Sequence, residues 1–348
     1  MMLRENKIAI VGIQGLPAKY GGFETLAENL VKYRPNHTEI VVWCSKLEYR
    51  DRPKIYNGVE LKYLPLRANG WQGILFDSVA LFLSRNYGKI LLLGVNGAAA
   101  LTFNKIASRT VLNIGGLDFQ RSKWSSLSKK VILLLNNYAI RRSSLLVADN
   151  EKIKSYLLSE HNKESILIGY GFSIADRPAN ANEVISGRYY LNIARIQEDN
   201  NCHVILDAFV RTSGCDLIMI GNFSHSSYGK RLKEKYKNVK NIRLMEAFYD
   251  RSQLKDILYN AKGYVHGHSA GGTNPILVDY MSQSRPIFAY RNGFNQYTLG
   301  SDKNSWNNAE ELMTLLNVET SDFIDYRSRL SLLNWETVAE EYFRVLCR

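Results

Sequence analysis

Short runs of Ile, Leu and Val recur along the chain, and between them lie segments in which apolar residues return every three or four positions. The runs "KIAIVGI", "EIVVWCS", "KILLLGV", "TVLNIGG", "SSLLVAD" and "SILIGYG" fall in the first half, and "YYLNIAR", "CDLIMIG", "NIRLMEA", "GYVHGHS" and "RPIFAYR" in the second. Apolar strands without alternation belong to parallel sheets covered on both faces, and "FETLAENLVKY", "NCHVILDAFVRT" and "RSQLKDILYNAK" read as covering helices. The class is α/β throughout. Periodicity lapses over "FSIADRPANANEVISGR", residues 172–188, where Pro, Asn and Ala accumulate before a fresh strand. This predicts a first Rossmann-like domain over 1–172, a linker over 173–188 and a second, similar domain from 189 to 333. Two doubly wound domains predict a ligand cleft beyond the carboxyl ends of their strands, so residues just after strands become the candidates.

Composition narrows the classes. With 348 residues and 45% apolar content the chain holds enough material for two cores. The start, "MMLRENKIAIVG", carries charge where a signal peptide needs its apolar centre, and no run approaches membrane-spanning length. Four scattered cysteines without a C-x-x-C pair suit a reducing compartment, which makes a cytoplasmic location the expectation. A net charge of +12 predicts attraction to polyanions: nucleic acid, an anionic lipid leaflet or a phosphorylated substrate.

Two glycine turns stand out. "GLPAKYGGFETLAENL", residues 15–30, follows the strand "KIAIVGI" and places Gly21 and Gly22 at the start of a helix. Bare amides at a helix start can hold an anion, but Gly12, Gly15, Gly21 and Gly22 fit neither the dinucleotide fingerprint nor a P-loop. The alternative is a tight strand-to-helix turn with no ligand. In the second half, "GYVHGHSAGGTNPILVDYM" again runs strand, glycine pair, helix. Gly271, Gly272, Thr273 and Asn274 precede Pro275 and leave amides for a diphosphate, while Asp279, one turn on, suits a ribose hydroxyl pair. One such turn per half predicts a ligand held from both. His266 and His268, two apart at a strand end, read as a metal pair or as hydrogen-bonding residues lining the site; no third ligand lies near in sequence and there is no Asp-x-Asp.

"GLPAKYGGFETLAENL", "GGLDFQRSKW", "ARIQEDNNCHVILDAF" and "HGHSAGGTNPILVDYM" together resemble the GT-B glycosyltransferases of family 4, in the bacterial branch with a rhamnosyltransferase-type amino-terminal domain found in capsule and O-antigen clusters. The resemblance implies a retaining, metal-independent glycosyltransferase without a cofactor. It would move L-rhamnose from a dTDP donor to a polyprenyl-diphosphate-linked saccharide. The second domain would hold the nucleotide-sugar and the first the acceptor, and "NWETVAEEYFRVL" (334–348 region) looks like the helix that crosses back to the first domain.

The same resemblance gives roles to residues. Arg195 matches the guanidinium on the donor diphosphate, while Asn200 or Asn201 stands where relatives carry a second cation. Gly271 and Asp279 occupy the places of two glutamates eight apart, so Asp279 inherits the ribose role. Gly21 and Gly22 would close over the phosphates. Arg195 and the amides of 271–274 would neutralise the leaving group, which can itself take the acceptor proton. Asp118 would orient the acceptor or cap a turn, Glu24 would touch the acceptor or complement the helix dipole, and Arg121 falls on the acceptor side; Gly115 stands where the branch often has Asp.

Between Phe119 and Ala148 lie Arg121, Lys123, Lys129, Lys130, Arg141 and Arg142 with no acid, around "VILLLNNYAI" and Trp124. Such a helix suits an anionic membrane surface, which predicts peripheral attachment to the inner face of the plasma membrane; a core helix with solvated basic ends fits the consecutive apolar residues 131–135 too. Other classes are a donor with UDP or GDP, a sugar-nucleotide epimerase, and a basic nucleic-acid binder. The last lacks a recognition motif and a single aromatic-basic stripe.

Overall fold

The computed structural model describes residues 4–19, 21–121, 125–172, 189–248, 251–283, 285–317 and 324–347. The 173–188 segment, Lys123 and Trp124 lie outside them. The chain divides into two compact units, one of residues 1–120, 124–171 and 332–348, the other of 121–123 and 172–331.

The first unit is built on an eight-stranded sheet of β1 (Arg4–Val11), β2 (Glu39–Ser45), β3 (Ile55–Tyr56), β4 (Val59–Leu64), β5 (Tyr87–Leu93), β6 (Thr110–Asn113), β7 (Leu145–Ala148) and β8 (Ile166–Leu167). Its order is β3-β4-β2-β1-β5-β6-β7-β8, parallel except for the β3–β4 pair. Ile8, Ala9, Ile10 and Val11 are all buried, because helices cover both faces of β1. The helix Gly22–Lys32 turns Leu26, Ala27, Leu30 and Val31 into this core. So does Trp335–Leu346, capped by the Asn334 carboxamide on the Thr337 amide, with Trp335, Val338, Ala339 and Tyr342 in the same cluster. Strand β4 was not among the runs read from sequence. Its Glu60 and Lys62 interrupt the apolar pattern, and the Glu60 carboxylate pairs with both Lys62 and Lys7.

The second unit has a six-stranded, wholly parallel sheet: β9 (Tyr189–Ile193), β10 (Asp216–Ile220), β11 (Ile242–Met245), β12 (Gly263–His266), β13 (Ile287–Tyr290) and β14 (Ser305–Trp306), in the order β11-β10-β9-β12-β13-β14. The winding reverses between β9 and β12 here and between β1 and β5 in the first unit. At such switch points neighbouring crossovers leave in opposite directions, and a crevice opens past the strand ends.

Candidate functional site

In the second unit the loops after β9 and β12 lie side by side, since Tyr190 pairs with Gly263 and Leu191 with Tyr264. Gly267 lets them approach: a Cβ there would lie 2.1 Å from the Asn200 carbonyl oxygen. The Ser269 amide and Oγ both donate to the Asp199 carbonyl at 2.8 Å, and the Asn201 carboxamide donates to Gly267 O at 2.9 Å. Asn200 is buried with both ends of its carboxamide engaged. Nδ2 donates to the Arg195 carbonyl at 2.7 Å, and Oδ1 meets His268 Nδ1 at 3.0 Å. It therefore ties the Arg195 loop to the His268 loop.

Because Asn200 Oδ1 can only accept, His268 Nδ1 carries the proton and Nε2 is left as an acceptor. Nε2 faces the glycine turn, 3.2 Å from where a Gly271 Cβ would stand. Gly271 has φ +124°, open to glycine and strained for other residues. Burial holds His268 well below the usual imidazole range, helped by the neighbouring His266 and the positive charges of Arg121 and Arg195. The Arg195 side chain is exposed just beyond β9. Arg121 is buried, with Nε 3.5 Å from Asp199 Oδ2 and 3.6 Å from the same Gly271 Cβ position. Two guanidinium groups, a neutral imidazole and a left-handed glycine turn thus meet at one switch point. Asn274 caps the helix Pro275–Met281 through the Ile276 amide, and Asp279 is half-buried within it.

Asp199 was missed by sequence reasoning. It sits in the run "QEDNN", but its meaning lies in the ion pair with a residue 78 positions earlier. Arg121, expected on the acceptor side, groups with the second unit beside Gly271.

His266 is fully buried at the end of β12, and burial pushes its imidazole down to about 3 from 6.5. With the folded pKa depressed, the unfolded chain takes the proton first as pH falls, so the stability present above pH 6.5 is lost between about 6.5 and 3. The expected slope is about 1.4 kcal/mol per pH unit for a wholly buried imidazole. Asp77, raised well above its usual value by burial, works in the opposite sense. The check is therefore the difference between wild type and His266→Gln in urea unfolding at pH 7 and 5; equal losses in both would refute the assignment.

In the first unit, Gly12 follows β1 with φ +101°, and a Cβ there would lie 2.0 Å from the Leu93 carbonyl oxygen of β5. Gly15 is hemmed in by Cys44 and Tyr49. These glycines answer to chain-on-chain packing. Gly21 has φ +97°, and its missing side chain leaves room for the Glu24 carboxylate, 2.6 Å from the Cβ position. Glu24 folds back to accept the Gln14 amide at 3.1 Å, and burial raises its pKa against that hydrogen bond. The Tyr170 hydroxyl donates to the Gly22 carbonyl at 3.1 Å. The Phe23 ring occupies the space a Gly115 side chain would need, 2.1 Å from its Cβ position, so a carboxylate there would clash with it. Asp77, on the helix Trp71–Leu83, is buried and takes a hydrogen bond from the Gly12 amide. Sequence reasoning missed it because it stands alone in an apolar helix. Asp118 opens a 3-10 turn after β6, and its side chain lies outside the described residues. Among the described residues no three His, Cys, Asp or Glu side chains gather as metal ligands.

Comparison with known proteins brings in the same architecture. Sucrose-phosphate synthase from Thermosynechococcus elongatus superposes with a TM-score of 0.81 at 14% identity, covering 97% of this chain and 98% of its own. HepE from Anabaena, in complex with UDP-glucose, gives 0.72 at 15%, covering 98% and 99%. A glycosyltransferase from Rickettsia africae gives 0.70 at 14%, covering 98% and 97%. The chain has the GT-B fold. A family model described as a domain of unknown function (DUF1972) matches residues 5–82 and 93–173, within the first half. No curated protein matches the sequence.

Proposed function

We propose that the protein is a nucleotide-sugar glycosyltransferase. The observation that carries this reading is the meeting of Arg195, Arg121 and the Gly271 turn at the switch point of the second sheet, in a chain whose fold is GT-B. Two cations and bare amides suit a diphosphate, whose charge grows as it departs. Arg195 with the 271–274 amides would hold the leaving group, and Asp279 the ribose. His268 Nε2, an acceptor, suits a sugar hydroxyl facing Gly271. In the first unit, Glu24 and Asp118 would serve the acceptor, and Gly21 and Gly22 the donor phosphates.

In the reaction the anomeric carbon–diphosphate bond breaks and a bond to the acceptor oxygen forms. The acceptor proton passes to the departing diphosphate, with retention of configuration and without a metal. The donor proposed is dTDP-L-rhamnose and the acceptor a polyprenyl-diphosphate-linked saccharide. This would bring the protein to the inner face of the plasma membrane, in surface polysaccharide synthesis. The second reading is a UDP-sugar, favoured by the likeness to HepE in complex with UDP-glucose.

Thermal unfolding with dTDP, UDP, GDP and an oligonucleotide, each in EDTA, separates the readings. One nucleoside diphosphate is expected to stabilise the protein by about 2.7 kcal/mol at a hundredfold excess over its Kd. Stabilisation by the oligonucleotide alone would sink the proposal.

A further inference from the structure

The helix Trp71–Leu83 buries Gly73, Phe76, Asp77, Ala80 and Leu81, and presents Trp71, Leu75 and Phe82 on its opposite face. Trp71 is 77% exposed. The helix Ser126–Arg142 repeats the arrangement: Asn136, Ala139 and Ile140 point inward, while Leu127, Val131, Leu134 and Tyr138 form an outward stripe at positions i, i+4, i+7 and i+11. None of residues 131–135 is fully buried, so this is no core helix.

The two stripes are joined. Both helices pack on the 3-10 turn Asn96–Thr102. Phe103 meets Phe82 edge-on at 5.7 Å, and Thr102 Oγ1 lies 3.0 Å from the Tyr138 hydroxyl. An apolar groove of about 360 Å³ runs between Val79, Phe82, Leu83, Ala99, Ala100 and Phe103. Exposed apolar surface of this extent has a use in most proteins that show it.

Its rim is basic. The Arg85 guanidinium stacks on Phe82 at 4.4 Å, Lys105 stands at Asn86, and Lys130 and Arg141 flank the Leu134 stripe. From residue 65 to 148 the chain has only two carboxylates: Asp77, buried, and Asp118, in the 3-10 turn that precedes the helix Ser126–Arg142 and packs against it. A second copy docked here face to face would set these cations against their own kind. Among the described residues no helix is long and apolar enough to cross a membrane. From this charge pattern and the paired stripes, we infer that the face formed by helices Trp71–Leu83 and Ser126–Arg142 docks on an anionic lipid bilayer. Leu and Trp side chains enter the interface while Lys and Arg meet the headgroups. The inference rests on the proposed lipid-linked acceptor for its purpose, but the face involves neither glycine turn.

The test is co-sedimentation of the full chain with vesicles of phosphatidylglycerol and phosphatidylethanolamine. Wild type is expected to be retained, to be released as salt rises, and to bind phosphatidylcholine vesicles much less. The double variants Trp71→Glu/Leu75→Glu and Leu127→Glu/Leu134→Glu change only outward side chains, and each is expected to weaken retention by about tenfold or more. Both should keep the wild-type unfolding midpoint and response to nucleoside diphosphate, which excludes misfolding as the cause. Retention equal on both lipid compositions, or unaffected by either double variant, overturns the inference. So does a wild type that ignores vesicles but forms a dimer that the variants dissociate. If vesicles fail to retain a protein that a nucleoside diphosphate stabilises, the docking face falls and the glycosyltransferase reading stands; retention without any nucleotide response does the reverse.

Discussion

Arg195→Ala is expected to lower kcat by about 10² to 10³-fold, the usual cost of removing one donor that stabilises developing charge. The guanidinium is exposed beyond β9 and takes no part in the core, so the variant should unfold at the wild-type midpoint. Arg195→Lys should recover only part of the rate, because an ammonium keeps the charge but lacks the planar fork that matches two phosphate oxygens. A leaving-group role predicts that kcat falls more than KM rises. Measured with the donor identified by thermal shift, a kcat unchanged in Arg195→Ala would remove Arg195 from the diphosphate site.

Gly12→Ala is expected to give the largest loss of stability. The new Cβ would stand 2.0 Å from the Leu93 carbonyl oxygen, and φ is +101°. The atoms it meets are the Leu93 carbonyl oxygen, carbon and amide nitrogen, all backbone of β5 and none a flexible side-chain end. The strands must separate or the turn must change, at about 3 kcal/mol or more. Gly70→Ala is the control: φ is +66° but nothing lies within 4 Å of its Cβ, so only the left-handed backbone costs, about 1 kcal/mol. Urea unfolding of the two variants decides the matter, and equal losses would mean that the contact with β5 does not govern Gly12.

The local pattern made much of this molecule legible. "EIVVWCS" is strand Glu39–Ser45 residue for residue, and "CDLIMIG" differs from Asp216–Ile220 by one residue at each end. Both sheets are covered on two faces, so their strands announce themselves as unbroken apolar runs. The glycine turns were visible too, because Gly-Gly before a helix needs no partner to be recognised. What they are for was less legible. The Gly271 turn stands with two cations, whereas Gly12 and Gly15 answer to Leu93 and Cys44 in neighbouring strands and to Tyr49 in the loop after β2. The helix Ser126–Arg142 read equally well as core or as surface, because five consecutive apolar residues point in every direction until a neighbour covers one side.

By itself the sequence determined the α/β class, most strands and the two turns, since these follow from periodicity and from residues a few positions apart. Only the tertiary structure decided that Arg121 meets Asp199, that Asn200 laces the Arg195 loop to His268, that Phe23 fills the space over Gly115, and that Trp71 and Leu134 stand on uncovered helix faces. Each of these depends on which strands are neighbours and which helix face is left bare. Strand order and helix covering are properties of the assembled sheet, fixed by long-range packing that no short window of the chain contains.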